Sequence, residues 1–288
     1  VQIDPATIRT LVENKQLIVA DGGQVIMTGR AADALSSSVV SNSGTIQANR
    51  LQEKDGKILL IADMQHGETH AAGTLEAHFI DTSAATVSID QDLHINTAGG
   101  QWLIDPVDIT IDQNKATAIQ NALGTGNVTI STADGANNGS LGTNGTGTDK
   151  GDIHVNADIT YTQNKLTLNA DNDINLNAAI HVNGSGTLDL RHGNTGATGL
   201  KVSGAVNFAQ AGAGLLTVNG AGYTVIKDAA ALQAINNDKS RNYALGGDVD
   251  ASGSSFTPIG GNFGSAFSGI FDGLGHRISG LQINSNLE

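Results

Sequence analysis

The chain has 288 residues, with 37 Gly, 3% aromatics, one Trp and no Cys. That composition lacks the large side chains of an ordinary compact core, and it excludes disulfide staples and cysteine-ligated metals. A formal net charge of −13 without a basic run excludes the footprint of a nucleic-acid binder, and no stretch approaches the ~18 uninterrupted apolar residues of a membrane-spanning helix.

Val1 begins without a charged region followed by an apolar signal core, so the sequence reads as an internal piece of a longer chain. Asp4-Pro5 before Ala6 to Val12 offers an N-cap and first-turn proline for a short helix, while the β-branched residues suit a strand equally. Leu17 to Ala20, a turn at Asp21-Gly22-Gly23 and Gln24 to Thr28 read as strand, tight turn, strand. Ala31, Ala32, Leu35 and Val39 fall at helical spacing, so Arg30 to Val40 is expected to form one short helix. A turn at Asn42-Ser43-Gly44 releases Thr45 to Ala48, and similar short strands begin near Ile58 and Leu75. Val87-Ser88-Ile89, Ile109-Thr110-Ile111 and Val128-Thr129-Ile130 read as a further series of equivalent strands.

The letters from Leu17 to Ala48, LIVADGGQVIMTGRAADALSSSVVSNSGTIQA, resemble the secreted exoproteins of bacterial two-partner secretion, the filamentous-haemagglutinin-like and high-molecular-weight adhesins. The Gly- and Asn-rich coils behind that segment share the likeness more diffusely. The resemblance implies a large β-helical protein exported through a dedicated outer-membrane transporter and displayed on, or released from, the cell surface. The family's amino-terminal secretion domain, with its NPNG-type signature, is not found, so the likeness implies an internal fragment. The absence of cysteine suits a chain that threads unfolded through a pore.

Ser131 to Asp152 is the least apolar passage, with only Leu141 suited to packing, and reads as a long loop. It is either a solvated insertion between rungs or a ligand-contacting loop on a rigid scaffold. Asn127, Asn138, Asn144 and Asn183 head Asn-X-Ser/Thr sequons, a frequency that the Asn, Gly and Thr content explains by chance. Some high-molecular-weight adhesins carry glycans at such sites.

The next stretch organises the chain. Ile153-His154-Val155-Asn156-Ala157-Asp158-Ile159 returns from position 174 as Ile174-Asn175-Leu176-Asn177-Ala178-Ala179-Ile180, and LTLN from Leu166 returns as LDLR from Leu188. Apolar residues at every second position put Ile153, Val155, Leu166, Leu168, Ile174, Leu176, Leu188 and Leu190 on one side of their strands. A repeat of about 20 to 25 residues is too small to bury its own apolar face and must stack on its neighbours, with equivalent strands in parallel.

Asp228 caps a short helix over Ala229 to Ile235, with Leu232 and Ile235 facing inward. The run FSGIFDGLGHRISGL, Phe267 to Leu281, resembles the GLUG-type repeat of bacterial surface adhesins and secreted proteases. Five of the six phenylalanines lie from Phe208 onward, a shift that marks a modified end of the coil. Leu287-Glu288 is set aside as an expression-vector remnant.

Candidate chemistry is sparse. His66-Gly67-Glu68-Thr69-His70 is not HExxH and lies in a turn-like segment, whereas zinc binding by such a pair needs a helix to bring it to one face. Asp171 and Asp173, with Asp152 and Asp158 a coil earlier, are placed to stack as paired acids for a lyase or a calcium site. A lyase also needs a base in the same groove, and only Lys150, Lys165 and Arg191 lie near, so solvated surface acids are the favoured reading.

The expected fold is all-β: a right-handed parallel β-helix, a solenoid with short helices and loop excursions. Residues 1–227 form its coils with the loop at 131–152, and 228–286 continue it with the GLUG-like motif. The expected function is non-enzymatic: a stiff spacer and display scaffold within a secreted or surface adhesin. It needs no cofactor or metal, and its expected partners are host-cell or surface glycans and proteins, plus the outer-membrane transporter during export. The rivals are a β-helical polysaccharide lyase or hydrolase, and an exoprotein scaffold for haem acquisition or toxin delivery. Because regular outward Asn, Thr, Asp and Ser form few hot spots, ligand contacts are expected at Asn138 and Asn144 in the long loop and at Tyr243 and Arg277 near the end.

Overall fold

The computed structural model describes residues 9–29, 37–49, 55–133, 151–193, 199–260 and 266–283. The chain runs through three sheets in turn. A first coil is β1 (Arg9–Asn14), β2 (Leu17–Val19) and β3 (Gln24–Thr28). The second is β4 (Ser37–Asn42), β5 (Thr45–Ala48) and β6 (Lys57–Ile61), the third β7 (Gly67–Ala71), β8 (Thr74–Ala77) and β9 (Phe79–Ser83), and the fourth β10 (Thr86–Ile89), β11 (His94–Asn96) and β12 (Gln101–Asp105). Each strand pairs in parallel with the strand three places earlier.

In the fifth coil a helix replaces the middle strand: β13 (Ile109–Ile111), α1 (Gln113–Leu123), β14 (Asn127–Ser131). Asp112 starts α1 by accepting the Lys115 backbone N–H at 3.0 Å, and Ala116, Ile119, Ala122 and Leu123 turn into the core. The helix packs between β11 and the strand that resumes the side, Ile159–Tyr161. Three-strand coils then continue as β15 (Ile153–Val155), β16 (Ile159–Tyr161) and β17 (Lys165–Asn169), next β18 (Ile174–Leu176), β19 (Ile180–Val182) and β20 (Thr187–Arg191), then β21 (Leu200–Val202), β22 (Val206–Phe208) and β23 (Gly212–Val218).

The 153–159 repeat pairs as its letters align: Ile153 opposite Ile174, Ile159 opposite Ile180 and Leu166 opposite Leu188. All eight alternating residues from Ile153 to Leu190 are buried. The long sheet stacks Val25, Ile58, Ile80, Trp102, Val128, Leu166, Leu188 and Leu216 into one inward column. Identical backbone spacing of about 4.8 Å keeps these side chains in van der Waals contact along the whole column. Trp102 fits because its indole N–H donates to Thr82 Oγ1 at 3.1 Å, leaving no orphan donor inside.

Three expectations are corrected, and one open between helix and strand is decided. Ser37–Asn42 is a strand, because Val39 and Val40 gain a parallel ladder against Leu11 and Val12 that a lone turn of helix lacks; residues 30–36 lie outside the described residues. Arg9–Asn14 is likewise strand, as its β-branched residues allow. The series Val87, Ile109 and Val128 is not one stack: β10 pairs with β7, β13 with β15, and β14 with β12 and β17. Val87 and Ile109 lie in the first strands of coils four and five, which do not pair, and Val128 falls at a similar spacing only because α1 stands between β13 and the long-sheet strand β14. Nor is the outward face uniformly polar, since Ile26, Leu59 and Leu103 occupy outward positions of the long sheet.

After β23 the direction changes. Asn219 (φ 48°) and Gly220 (φ 77°) make a two-residue turn of the left-handed kind, and β24 (Ala221–Ile226) returns antiparallel to β23. Then come α2 (Ala229–Gln233), capped by Asp228 as expected, a 3-10 turn at Ala234–Asn237, and β25 (Asn242–Leu245), β26 (Val249–Asp250), β27 (Phe271–Asp272) and β28 (Ile278–Ser279). β25 and β27 extend the long sheet, parallel to β24. Val225 and Ala244 face the first core, whereas Ile226, Tyr243 and Leu245 point to the opposite face and, with Leu232, Ile235, Val249 and Phe256, build a second. The continuation beyond 228 is thus a second apolar column sharing one sheet with the first. Reversing strand direction while moving the enclosed core to the other face leaves the sense of winding unchanged. At about 4.8 Å per strand, the 11-stranded sheet spans about 48 Å.

Candidate functional site

The corners show what the Asn and Asp content does. Where the chain turns, the ladder is interrupted, and a side-chain oxygen of one coil accepts a backbone N–H of the next: Asp21 from Asn49, Asn127 from Lys165, Asp158 from Ala179, Asn242 from Ile270 and Asp248 from Arg277, all at 2.8 to 3.1 Å. Each bond gives a fixed partner to an exposed donor that the interrupted ladder would otherwise leave to water. At Asp248 the Arg277 backbone N–H holds the carboxyl below its usual range, with His276 and the Arg277 charge adding to it and burial opposing.

Asp152 and Asp173 belong to the same device. Asp108 Oδ1 accepts the Asp152 N–H at 2.6 Å, and Asp152 Oδ1 accepts the Asp173 N–H at 3.0 Å. The stack ends at Lys201, whose Nζ lies 2.5 Å from Asp173 Oδ2. The acids therefore line up one per coil, but backbone donors and a lysine occupy them, while Asp171 is exposed and Arg191 pairs with Asp189 at 2.7 Å. Glu68 and His70 share the outer face of β7, where Glu68 accepts from Ser88 Oγ and His70 Nε2 sits 3.3 Å from Asp90 Oδ2. Among the described residues no group of three carboxylate, imidazole or thiolate side chains is placed to hold a metal ion.

Of the four residues expected to touch a ligand, Asn138 and Asn144 lie outside the described residues. The ends of their segment meet, since Thr132 Oγ1 donates to the Gly151 carbonyl at 2.7 Å. Three segments, 30–36, 134–150 and 194–198, are flanked alike: each follows a strand of the long sheet (β3, β14, β20) and precedes the next coil's first strand (β4, β15, β21). The described residues that flank them lie at one corner of the stack. Tyr243 is a wall of the second core, its hydroxyl donating to the Asp238 carbonyl at 2.6 Å and its ring centroid 6.4 Å from that of Phe267. Burial, then the Asp238 charge, raises its phenol above the usual value. Arg277 is outside, 82% exposed, with Nε 3.2 Å from Asp248 Oδ2.

The same region holds a cleft that sequence reading did not assemble. Leu232 and Ile235, from α2 and the turn after it, meet Phe256, Ile259, Phe267, Phe271, Ile278 and Leu281 around a space of ≈ 280 Å³. Ile270, Phe271, Leu281 and Ile283 beside it are exposed. Its lining is almost wholly apolar, so it can hold an aliphatic or aromatic group but has nothing to orient a reacting one. The signal was partly visible, in the i, i+3 pair Leu232 and Ile235 and the late phenylalanines; what joined them was the fold. Compared with known families, curated proteins and solved structures, the chain matches none.

Proposed function

We propose that this chain is a right-handed parallel β-helix forming part of a secreted or cell-surface bacterial adhesin of the two-partner secretion type, where it acts as a stiff spacer and display scaffold. The observation that carries the reading is the unbroken long sheet, which links all the coils and stacks the first eight on one inward column. Bending such a stack breaks backbone ladder bonds on one side and compresses close-packed side chains on the other, so it resists both. The right hand is that of nearly all parallel crossover connections. A rigid body suits display, because whatever it carries is presented in a fixed direction.

The proposed partners are glycans or proteins of host cells and other surfaces, with the outer-membrane transporter engaged during export. The experiment measures attachment of the chain to host cells and to immobilised glycans, beside one variant with residues 134–150 replaced by a short Gly-Ser link, which keeps Ser131, Thr132, Gly151 and Asp152 in place, and another with Arg277→Ala. Loss of attachment in either supports contact through that segment or the terminal region. Unchanged attachment in both, with loss in Asn175→Ala, moves the contact to the coil face. A chain that attaches to neither cells nor glycans removes the adhesin reading.

A further inference from the structure

Reversal of the chain at Asn219-Gly220 changes the outline of the body as well as its core. The second core lies on the face of the long sheet that is outward in the first eight coils, so α2 and the turn after it stand as a step beside β23 and β24. Two adjoining hollows of ≈ 410 Å³ and ≈ 290 Å³ run along the foot of that step and share Thr224 and Arg241. Ala231, Ala234 and Asn237 wall the larger, and Ser240 and Asn242 the smaller. Their floor is mostly backbone: Gly212 and Gly214, where β23 bulges against β24, and Gly222 beside Thr224.

Gly222 is the telling residue of that floor. Gly212 (φ 129°) and Gly214 (φ 84°) are required by the bulge, whereas Gly222 has a φ outside the left-handed region and nothing within 4 Å of an added Cβ. Glycine weakens a strand interior, so neither conformation nor packing accounts for it; close approach of another molecule to bare backbone does. The polar groups around the floor point the same way. Asp238 is engaged, its Oδ1 accepting from the Ser240 N–H and hydroxyl and its Oδ2 from Arg241 Nε at 2.6 Å. Among the described residues, the two terminal nitrogens of Arg241, the Thr224 hydroxyl and the Asn237 amide have no hydrogen-bond partner. Arg241 is 63% exposed, so its guanidinium is steadied on one side by Asp238 and open on the other. Such a fork matches a carboxylate through two parallel N–H···O bonds. Bare backbone and alanine methyls, with a hydroxyl and an amide at their margin, complement a pyranose ring, which has a C–H face and a rim of hydroxyls. An extended peptide would instead want a free strand edge, and β23 and β24 are both paired on each side.

We propose that this trough binds a sugar residue carrying a carboxylate, with Arg241 on the carboxylate, Thr224 and Asn237 on ring hydroxyls and Gly222 beneath the ring. The site rests on the attachment reading above and names the glycan class and contact surface for it.

The test is titration calorimetry of the whole chain with tetragalacturonate and its methyl ester, and with 3′-sialyllactose and lactose, which separates a uronic from a sialic source. The expected result is binding of at least one acid, weakened by salt, with its uncharged counterpart about tenfold weaker or more. Arg241→Gln should lose about as much. Gly222→Val should also lose binding while the urea midpoint stays or rises, since valine suits a strand and meets nothing there; a glycine with only a structural role would leave binding unchanged. Binding of neither acid, equal binding of acid and uncharged counterpart, or undiminished binding in Arg241→Gln overturns the proposal. So does a short peptide with a free carboxyl terminus that binds the trough as tightly. If Arg241→Gln unfolds the chain, Gly222→Val and Asn237→Ala are judged by the same readings. The two readings fail separately: attachment to cells without binding of either acid removes this site alone, and binding of an acid without attachment to cells removes the adhesin reading and leaves the site.

Discussion

Leu166→Ala is the sharpest test of the stacked column. Leu166 is fully buried on β17, directly between Val128 and Leu188 of the coils before and after it. The substitution removes three carbons, about 0.8 kcal/mol each on transfer alone, or about 2.4 kcal/mol. Relaxation is limited, because Val128 and Leu188 sit on strands tied to β17 by ladder bonds and cannot close the gap without breaking them. The remaining cavity brings the expected cost to about 3 to 4 kcal/mol. Urea unfolding followed by Trp102 fluorescence and by circular dichroism measures it. Trp102 lies two strands away in the same column, so it reports coils four and five while dichroism reports all of them. A weakened central interface should lower the midpoint and separate the two signals, as expected of a one-dimensional stack. A loss below about 1 kcal/mol with coincident transitions would refute the reasoning, since it would mean that the column repacks freely.

Gly220→Ala should cost about 1 kcal/mol through its left-handed φ of 77° alone, because nothing stands within 4 Å of the added carbon; calorimetry of this variant against Gly220→Asn separates backbone strain from contact. Asn42→Ala should cost about 2 to 3 kcal/mol in chemical denaturation, since Asn42 accepts from Asn14 Nδ2 at 2.8 Å and donates to the Ala72 carbonyl at 2.7 Å while fully buried. Asp248 has its carboxyl lowered in the folded state by the Arg277 N–H, so its contribution is present above the ordinary value of 3.8 and is lost as pH falls through its folded value. The protection of the Arg277 amide, taken relative to the intrinsic exchange rate at each pH, should therefore fall in acid for the native chain and depend less on pH in Asp248→Asn. Solution scattering should give an elongated particle whose long sheet spans about 48 Å; a sphere would contradict it.

The central coils were legible in the letters because a stacked strand writes its burial locally: every second residue is apolar, and register then follows from aligning Ile153 with Ile174 and Leu166 with Leu188. The short helix after Asp228 was legible for the same reason, its cap and its inward pair lying within one turn. The Asn219-Gly220 hairpin carried a local signal too, but a continuing repeat masked it. What the letters did not contain were outcomes decided by partners far away in sequence. Val39 and Val40, the end of the helix expected over Arg30 to Val40, lie in the strand Ser37–Asn42 because β1 offers it a ladder. The candidate cleft joins Leu232 to Leu281 only because the chain reverses and moves its core to the other face of the long sheet. Leu274, an ordinary leucine in a Gly-rich run, is buried in a column built 70 residues earlier, since the carbonyl of Val206 and the imidazole of His276 are brought together by that reversal. Burial of a side chain's own strand is a local property, whereas the closing of an edge depends on which backbone groups remain unpaired once all the coils are in place.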